Sequence, residues 1–170
     1  MSHSTASEAA PGEPAPRWTL RAAAPQDREF LLRVYASTRE EEMTAWGWSA
    51  AQKQAFAQMQ FQARELSYKA EYPDAEKKIV MVAGAPAGVL QVRRGEREMN
   101  LVDIALLPEY QGRGLGGQLV RQLMEEAARA GVPLRLSVLR TNPAARLYER
   151  LGFATTEEGA MYRKMERRPG

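Results

Sequence analysis

The spacing of apolar residues along the first third of the chain predicts one strand and one helix before a break. Apolar and polar residues alternate over residues 18–23, which is typical of a half-buried strand. A helix is predicted over residues 28–38, where apolar residues recur at helical spacing. Residues 39–48 show no such period, so this stretch is predicted to be a loop or an irregular helix end.

A second, long helix is predicted to start at Ser49 and to reach residue 68. Ser49 and Gln52 have the spacing of a capping box, in which each side chain accepts a hydrogen bond from the other residue's backbone N–H. The apolar residues of this segment predict a buried stripe that consists of Phe56, Met59, Ala63 and Leu66.

The second half of the chain alternates short strands with helices. A hairpin is predicted over residues 79–94 around a turn at 84–86, and residues 99–108 are apolar on both sides, as in a central strand. An amphipathic helix over residues 115–130 and a buried strand over residues 131–139 follow. The apolar rows of that helix are Leu115, Leu119, Leu123 and Ala127, with Val120 and Met124 beside them.

The end of the chain predicts a short helix and a final hairpin. Asn142 suits the N-cap of this helix and Pro143 its first position. Gly152 suits the turn that ends it, and Phe153 can make the apolar contact that closes the turn. Residues 153–168 complete the hairpin. The order β α α β β β α β α β β predicts an α+β domain with a mixed sheet.

The composition indicates one globular domain without thiol or histidine chemistry. The chain has 170 residues, of which 44% are hydrophobic and 26% charged, and this predicts a single domain over residues 17–168. Residues 1–16, rich in Ser, Ala, Pro and Glu, are predicted to be a disordered leader. The chain has no cysteine, and its single histidine is His3 in that leader. Proton transfer must therefore use carboxylates, tyrosine, lysine, chain termini or water, and no metal is expected.

The charge pattern argues against nucleic-acid and membrane partners. The net charge is +3 and the arginines are scattered, whereas nucleic-acid-binding proteins usually concentrate basic residues in a stripe. No apolar run approaches the roughly 20 residues that a membrane span needs. The first residues also lack the basic and apolar segments of a secretory signal. We therefore expect a cytoplasmic protein with no nucleic-acid and no membrane partner.

Two overlapping phosphate-binding patterns occur in the segment LPEYQGRGLGGQLV, residues 107–120. Gly112, Gly114 and Gly117 have the spacing of the dinucleotide fingerprint, in which a strand runs almost directly into the first glycine. Here a four-residue segment separates Leu107 from Gly112, and the next predicted strand carries no acidic residue, so this interpretation fails. The Walker A pattern fails as well, because no Gly-Lys-Ser or Gly-Lys-Thr follows.

The same segment resembles the acyl-CoA-binding signature of the GNAT superfamily of N-acetyltransferases, with Gln111, Gly114 and Gly116 at the defined positions. A second stretch, TNPAARLYERLGF at residues 141–153, is similar to another motif of that superfamily. The order of elements also agrees over nearly the whole chain beyond the leader. The resemblance implies a mixed, mostly antiparallel central sheet flanked by helices, in which two splayed parallel strands form the CoA cleft.

The resemblance also implies an activity. This is the transfer of an acetyl group from acetyl-CoA, the cosubstrate, to a primary amine by direct attack and without a metal. The acceptor is a small-molecule amine or a protein amine, and a homodimer is compatible with this picture. A non-catalytic CoA-binding sensor or regulatory protein is the alternative function.

The glycine-rich segment is expected to bind the pyrophosphate of CoA through backbone N–H groups at the start of a helix. Glycines allow this approach because a Cβ would collide with phosphate oxygens. The resemblance adds Asn142, which contacts the pantetheine arm directly or through water. The expected CoA-binding residues are Leu106, Leu107, Gln111, Gly112, Arg113, Gly114, Leu115, Gly116, Gly117, Asn142, Ala145 and Arg146.

Two residues are the main catalytic candidates. The resemblance places the Tyr148 hydroxyl near the thioester sulfur, where it serves as general acid for the departing thiolate. Some superfamily members carry a glutamate base at the position of Asn100, which cannot accept a proton. Asp103, three residues further on and so expected on the opposite face of the strand, is a candidate base or a structural acceptor. The other candidates are a water chain and Glu40, Glu41 and Glu42.

The thioester carbonyl also needs a hydrogen-bond donor. A backbone N–H at the end of the strand that precedes the glycine-rich segment, at Leu106 or Leu107, is expected to polarise it.

Overall fold

A seven-stranded mixed sheet organises residues 16–170, which are the residues that the computed structural model describes. Its strands are β1 (Trp18–Ala22), β2 (Glu76–Val82), β3 (Ala85–Arg94), β4 (Met99–Leu106), β5 (Leu134–Leu139), β6 (Ala154–Glu158) and β7 (Tyr162–Arg167). Their order is β1-β2-β3-β4-β5-β7-β6, and neighbours are antiparallel except β4 and β5. The predicted fold class is confirmed. The predicted leader, apart from Pro16, lies outside the described residues.

Helices cover both faces of the sheet. They are α1 (Arg28–Ala45), α2 (Ala50–Glu71), α3 (Leu115–Ala130) and α4 (Ala144–Arg150). One apolar cluster joins α1 and α2 to one face of the sheet, and its helical members are Leu31, Val34, Tyr35 and Phe61. A larger cluster joins α3 and α4 to the other face. β4 is buried along its whole length, as predicted for a central strand. Within residues 16–170 no helix is long and apolar enough to cross a membrane.

Hydrogen bonds at the helix ends confirm several local predictions, at the start of α2 and after the end of α4. Ser49 Oγ accepts from the Gln52 N–H at 3.2 Å and Gln52 Oε1 accepts from the Ser49 N–H at 2.9 Å, which completes the capping box of α2. α3 has the predicted bounds, and the predicted apolar row of Leu115, Leu119, Leu123 and Ala127 is buried. After α4, Gly152 adopts a φ of +95° and the Phe153 N–H donates to the Tyr148 carbonyl at 2.9 Å, which closes the helix.

α1 is longer than the sequence pattern predicts. The pattern predicts a helix end near residue 38, whereas the helix continues through the three consecutive glutamates to Ala45. Arg39 stabilises the extension, because it donates to the Tyr35 hydroxyl at 3.0 Å and to Glu42 at 2.9 Å. Met43 adds a buried anchor. The loop prediction for residues 39–45 was wrong. This part of α1 is held by polar contacts and one buried apolar residue, so its sequence shows no helical period of apolar residues.

The sequence assigns the wrong face of α2 to the core. Met59 and Leu66 of the predicted stripe are 60% and 64% exposed, Ala63 is also exposed, and Phe56 is half-buried. The face that packs on the sheet instead carries Ala57, Phe61, Arg64 and Tyr68. Because Arg64 interrupts the row of apolar residues on the buried face of α2, that face shows a less regular apolar spacing than the exposed face with Met59 and Leu66.

β4 contains a bulge that changes which of its residues share a face. Residues 91 and 92 of β3 pair with residues 103 and 101, so Val102 is an extra residue in β4. Simple alternation predicts Asn100 and Asp103 on opposite faces. The extra residue places both on the face that α1 and α2 cover, so that prediction was wrong.

Candidate active site

The parallel strands β4 and β5 separate after a short paired segment. Residues 99–101 pair with residues 134–136, and the pairing ends there. β4 nevertheless continues to Leu106 and β5 to Leu139. The two strands therefore diverge from the bulge onward and leave a cleft between their carboxyl ends. The predicted splay of two parallel strands is confirmed.

The glycine-rich segment forms a turn between the end of β4 and α3, here called the glycine turn (residues 111–114). Gly112 and Gly114 adopt φ values of +77° and +79°, which other residues enter at a cost of about 1–2 kcal/mol. The first helical bond of α3 runs from the Gln118 N–H to the Gly114 carbonyl at 3.1 Å. The N–H groups of residues 115–117 therefore lie ahead of the first helical bond. A helix start of this kind binds anions through its N–H groups and its dipole.

Gln111 and the last residues of β4 connect the glycine turn to the sheet. The Gln111 side chain donates from Nε2 to the Leu106 carbonyl at 3.0 Å, which holds the turn against the strand end. The Leu107 N–H donates to the Ala87 carbonyl at 2.8 Å, so it belongs to the ladder with β3. N–H groups alternate sides along a strand, and Leu106 is therefore the residue whose N–H turns away from β3 toward the cleft. Of the two expected carbonyl donors, Leu106 alone faces the cleft.

The other predicted CoA-binding residues lie at the starts of α3 and α4. Leu115, Gly116 and Gly117 are buried in the first turn of α3, and Arg113 is exposed beside them. Across the cleft, Asn142 Oδ1 accepts from the Ala144 N–H at 2.9 Å, as an N-cap does. The first turn of α4 also carries Ala145, which is buried, and Arg146, which is exposed. Parallel strands end at the same edge of a sheet, so the fold brings the two predicted motifs to the two sides of one cleft.

Tyr148 lies on α4 and is fully buried. Its ring meets the Phe153 ring edge-on, with 5.6 Å between the centroids. Burial, and secondly the negative charge of Asp103, raise the pKa of Tyr148 well above its ordinary value. The phenol therefore keeps its proton at neutral pH.

Asp103 is buried under α2, where Arg64 pairs with it. Asp103 Oδ2 accepts from Nη2 of Arg64, and the guanidinium lies over the Tyr35 and Tyr68 rings at 5.0 and 4.9 Å. Desolvation lowers the pKa of Arg64, but Asp103 and Tyr68 outweigh it, and the net shift is upward. Oδ1 of Asp103 has no hydrogen-bond partner among the described residues, which is uncommon for a buried carboxylate. Sequence analysis missed Arg64. The only feature of the sequence that points to it is its helical spacing from the apolar residues Ala57, Phe61 and Tyr68.

The three glutamates of α1 do not act as one group, because successive helical residues point in different directions. Glu40 accepts from Lys53 at 2.8 Å, and this hydrogen bond lowers the pKa of Glu40. Glu41 is exposed. Only Glu42 lines the cavity described next. Among residues 16–170 no group of three or more His, Asp or Glu residues is arranged to hold a metal ion.

A cavity of about 700 Å³ opens between α1, α2, the end of β5 and the start of β7; we call it the side cavity. Leu139 and Thr141 bring it to the carboxyl end of β5, next to Asn142. Its charged lining residues are Arg39, Glu42 and Arg64, and its aromatic lining residues are Tyr35, Phe56, Tyr68 and Tyr162. Sequence analysis missed this cavity because its lining comes from separate segments with no common motif.

Residues 76–155 match the family model described as an acetyltransferase (GNAT) domain. This span includes the diverging strands, the glycine turn and α4. The match to the GNAT acetyltransferase domain covers 80 of the 170 residues. The resemblance found in the two sequence motifs is therefore confirmed, and every residue predicted to bind CoA lies inside the matched span.

Solved structures share the fold of this chain over most of its length. The N-acetyltransferase PaiA from Thermoplasma acidophilum, solved in complex with coenzyme A, is 18% identical with a TM-score of 0.66; the alignment covers 89% of this chain and 99% of that one. An acetyltransferase from Thermus thermophilus is 22% identical with a TM-score of 0.63, covering 89% of this chain and 96% of that one. At these identities the likeness establishes the fold.

Proposed function

We propose that this GNAT domain transfers the acetyl group of acetyl-CoA to a primary amine by direct attack, without a covalent enzyme intermediate. The observation that carries the proposal is the position of the glycine turn at the mouth of the gap between β4 and β5. Backbone N–H groups at a helix start suit a pyrophosphate. A gap between two strands suits a thin, polar chain such as pantetheine. The residues present therefore fit CoA.

On the donor side, the glycine turn and the start of α3 hold the pyrophosphate, and Arg113 adds positive charge at the rim. Asn142 contacts the pantetheine arm from the opposite side of the cleft. The backbone at Leu106 polarises the acyl carbonyl. When bound, acetyl-CoA supplies an acyl group that is activated as a thioester.

On the acceptor side, the amine enters through the side cavity. A carbon–nitrogen bond forms as the carbon–sulfur bond breaks, so the sulfur leaves with an electron pair and the amine must lose a proton. Tyr148 donates a hydrogen bond to the departing sulfur. Because its pKa is raised, further above the value of about 8.5 that is usual for a thiol, Tyr148 stabilises the thiolate mainly by hydrogen bonding.

Asp103 is the proposed acceptor for the amine proton, directly or through water. Support comes from Oδ1, a buried carboxylate oxygen without a hydrogen-bond partner among the described residues. Arg64 occupies the other oxygen and also lines the side cavity, so it separates the carboxylate from bulk solvent.

The proposal is tested by mixing the full-length protein with acetyl-CoA and a panel of primary amines and following thiol release. We expect amine-dependent thiol release together with a mass increase of one acetyl group on the amine. If CoA binds in calorimetry and no amine of any class is consumed, the protein is a CoA-binding sensor and the transferase proposal is rejected.

A further inference from the structure

The mouth of the side cavity gathers exposed apolar side chains. Trp46, Met161 and Tyr162 are 49%, 65% and 37% exposed, and they are three of the five exposed large apolar residues within residues 16–170. Met161 and Tyr162 line the cavity directly, and Trp46 meets the lining residue Phe56 edge-on at 5.8 Å. Apolar surface left in water beside a cavity is typical of a binding site.

Beside this mouth, the rings of Trp46, Trp48 and Phe56 contact one another and form an aromatic wall. The Trp46 and Trp48 rings lie 4.9 Å apart, and Trp48 lies 5.1 Å from Phe56. The wall is built at the turn between α1 and α2, and its member Phe56 lines the same cavity as Met161 and Tyr162, which precede and begin β7. Such a wall offers ring edges and faces to another planar group.

The charges that line the side cavity are compensated in pairs. Glu42 is the only carboxylate among the described lining residues, and Arg39 binds it at 2.9 Å. Arg64 is paired with Asp103. A ligand with a second ammonium group would therefore meet two arginines and no carboxylate that lacks a cationic partner.

Three of the four aromatic rings among the described lining residues of the cavity already have a protein cation over one face. Arg39 lies 5.2 Å from the Phe56 centroid, and Arg64 lies over Tyr35 and Tyr68. An ammonium ion cannot take these faces without displacing a guanidinium. A neutral aromatic ring can stack on the guanidinium planes or on the free ring edges.

Building on the proposed transferase function, we infer that the acceptor is a small arylalkylamine, which carries one primary amine on an aromatic body and no second positive charge. The aromatic body contacts the wall at the turn between α1 and α2 together with Met161 and Tyr162. The amine points inward, toward the end of β5 and Asp103. A volume of about 700 Å³ is ample for a molecule of this size.

The test compares initial rates of thiol release for phenylethylamine, an unbranched aliphatic diamine of similar length, and a short lysine-containing peptide. We expect kcat/KM for phenylethylamine to exceed that for the diamine by about tenfold or more, because the ring buries apolar area that the diamine lacks. Binding of phenylethylamine to the CoA-loaded protein is measured in parallel by calorimetry.

Met161→Ala and Met59→Ala are matched variants, because the two methionines are 65% and 60% exposed but only Met161 lines the side cavity. We expect Met161→Ala to raise KM for phenylethylamine about threefold to fivefold and Met59→Ala to leave it unchanged. Met161→Glu adds a carboxylate at the mouth and should shift the preference toward the diamine. CoA affinity should stay constant in all three variants.

Preference for phenylethylamine that depends on Met161 supports the inference. Equal or greater activity with the diamine or the peptide overturns it, although acetyl transfer itself then stands. If Met161→Ala weakens the binding of phenylethylamine but no amine is acetylated, the inferred ligand class is supported and the proposed transferase function is rejected. If phenylethylamine neither binds nor reacts, the inference is rejected, and activity of the other amines then decides the transferase function.

Discussion

The glycine turn and the side cavity are neighbouring regions that are built in opposite ways. The glycine turn comes from consecutive residues and offers backbone N–H groups, with Gly112 and Gly114 in the left-handed conformation. The side cavity is lined from four segments of the chain, and side chains supply its chemistry. One of its lining residues, Arg64, pairs with Asp103, which lies 39 positions away in the chain. A ligand bound by backbone groups thus leaves a local motif in the sequence, whereas a ligand bound by side chains leaves a dispersed one.

This difference explains why the sequence shows a motif for the glycine turn and no motif for the side cavity. Any sequence that builds the glycine turn must place glycines at fixed positions, because positive φ is costly for other residues. The side cavity imposes no such spacing, since its lining depends on the direction of α2 and on the turn before β7. Substitutions in one region should therefore leave the function of the other region largely unchanged.

The largest effect is expected from breaking the ion pair under the side cavity. Arg64→Met leaves the buried Asp103 carboxylate without its partner and should lower the free energy of unfolding by about 3–5 kcal/mol. The double variant Arg64→Met with Asp103→Leu removes both charges and should recover most of that loss. Denaturant titration measures both. An equal loss in the single and double variants would show that packing, and not charge, dominates this contact.

Removal of the Tyr148 hydroxyl should affect the chemical step at the junction of the two regions. Tyr148→Phe keeps the edge-on contact with Phe153 and should slow acetyl transfer by roughly 10²-fold, near the lower end of the usual range for a positioned acid. Single-turnover rates are the measurement, with CoA affinity as the control. A donor whose thiol is a better leaving group should reduce the effect. Equal losses of affinity and rate would assign Tyr148 to the cleft wall.

The pKa of Tyr148 is raised, so its protonated form persists above the ordinary tyrosine value of about 10. The single-turnover rate should therefore show no alkaline decline from this group below about pH 10. A decline that Tyr148→Phe abolishes would contradict this assignment.

Substitution of the two glycines at opposite ends of α3 distinguishes the effect of backbone strain on stability from an effect on ligand binding. Gly114 and Gly131 have φ values of +79° and +71°, so alanine at either position should cost about 1–2 kcal/mol of stability. Only Gly114→Ala should also weaken CoA binding, since it alone lies in the glycine turn. Calorimetry with CoA and with a phosphate-free pantetheine fragment decides the matter. If Gly131→Ala weakens CoA binding equally, the turn acts only through helix stability.

The smallest effect concerns the start of α2, which supplies part of the side cavity. Ser49→Ala removes the acceptor for the Gln52 N–H and should cost about 1 kcal/mol. Ser49→Asp should restore stability, because aspartate is an equally good N-cap. We expect KM for the amine to change more than the CoA affinity. The reverse pattern would mean that α2 supports the donor side instead.

Local rules predicted the parts of the fold that local physics controls. The bounds of α3, the capping box at Ser49 and the closing turn at Gly152 follow from groups close together in the chain. The extension of α1 was missed because its main support, the Arg39 contacts with Tyr35 and Glu42, is polar. The core face of α2 was misassigned for a related reason, since Arg64 faces inward only because its partner Asp103 lies opposite it in β4.

The fold class and the glycine-rich motif can be predicted from the sequence, because strand and helix periods and glycines at required φ values are local properties. The positions of the acidic candidates, in contrast, depend on the folded structure. The bulge at Val102 moves Asp103 to the face of α2, and helical geometry sends Glu40 and Glu42 to different cavities. The side cavity also exists only in the folded chain. Its lining residues are far apart in sequence, and packing of α1 and α2 against the sheet is what brings them together.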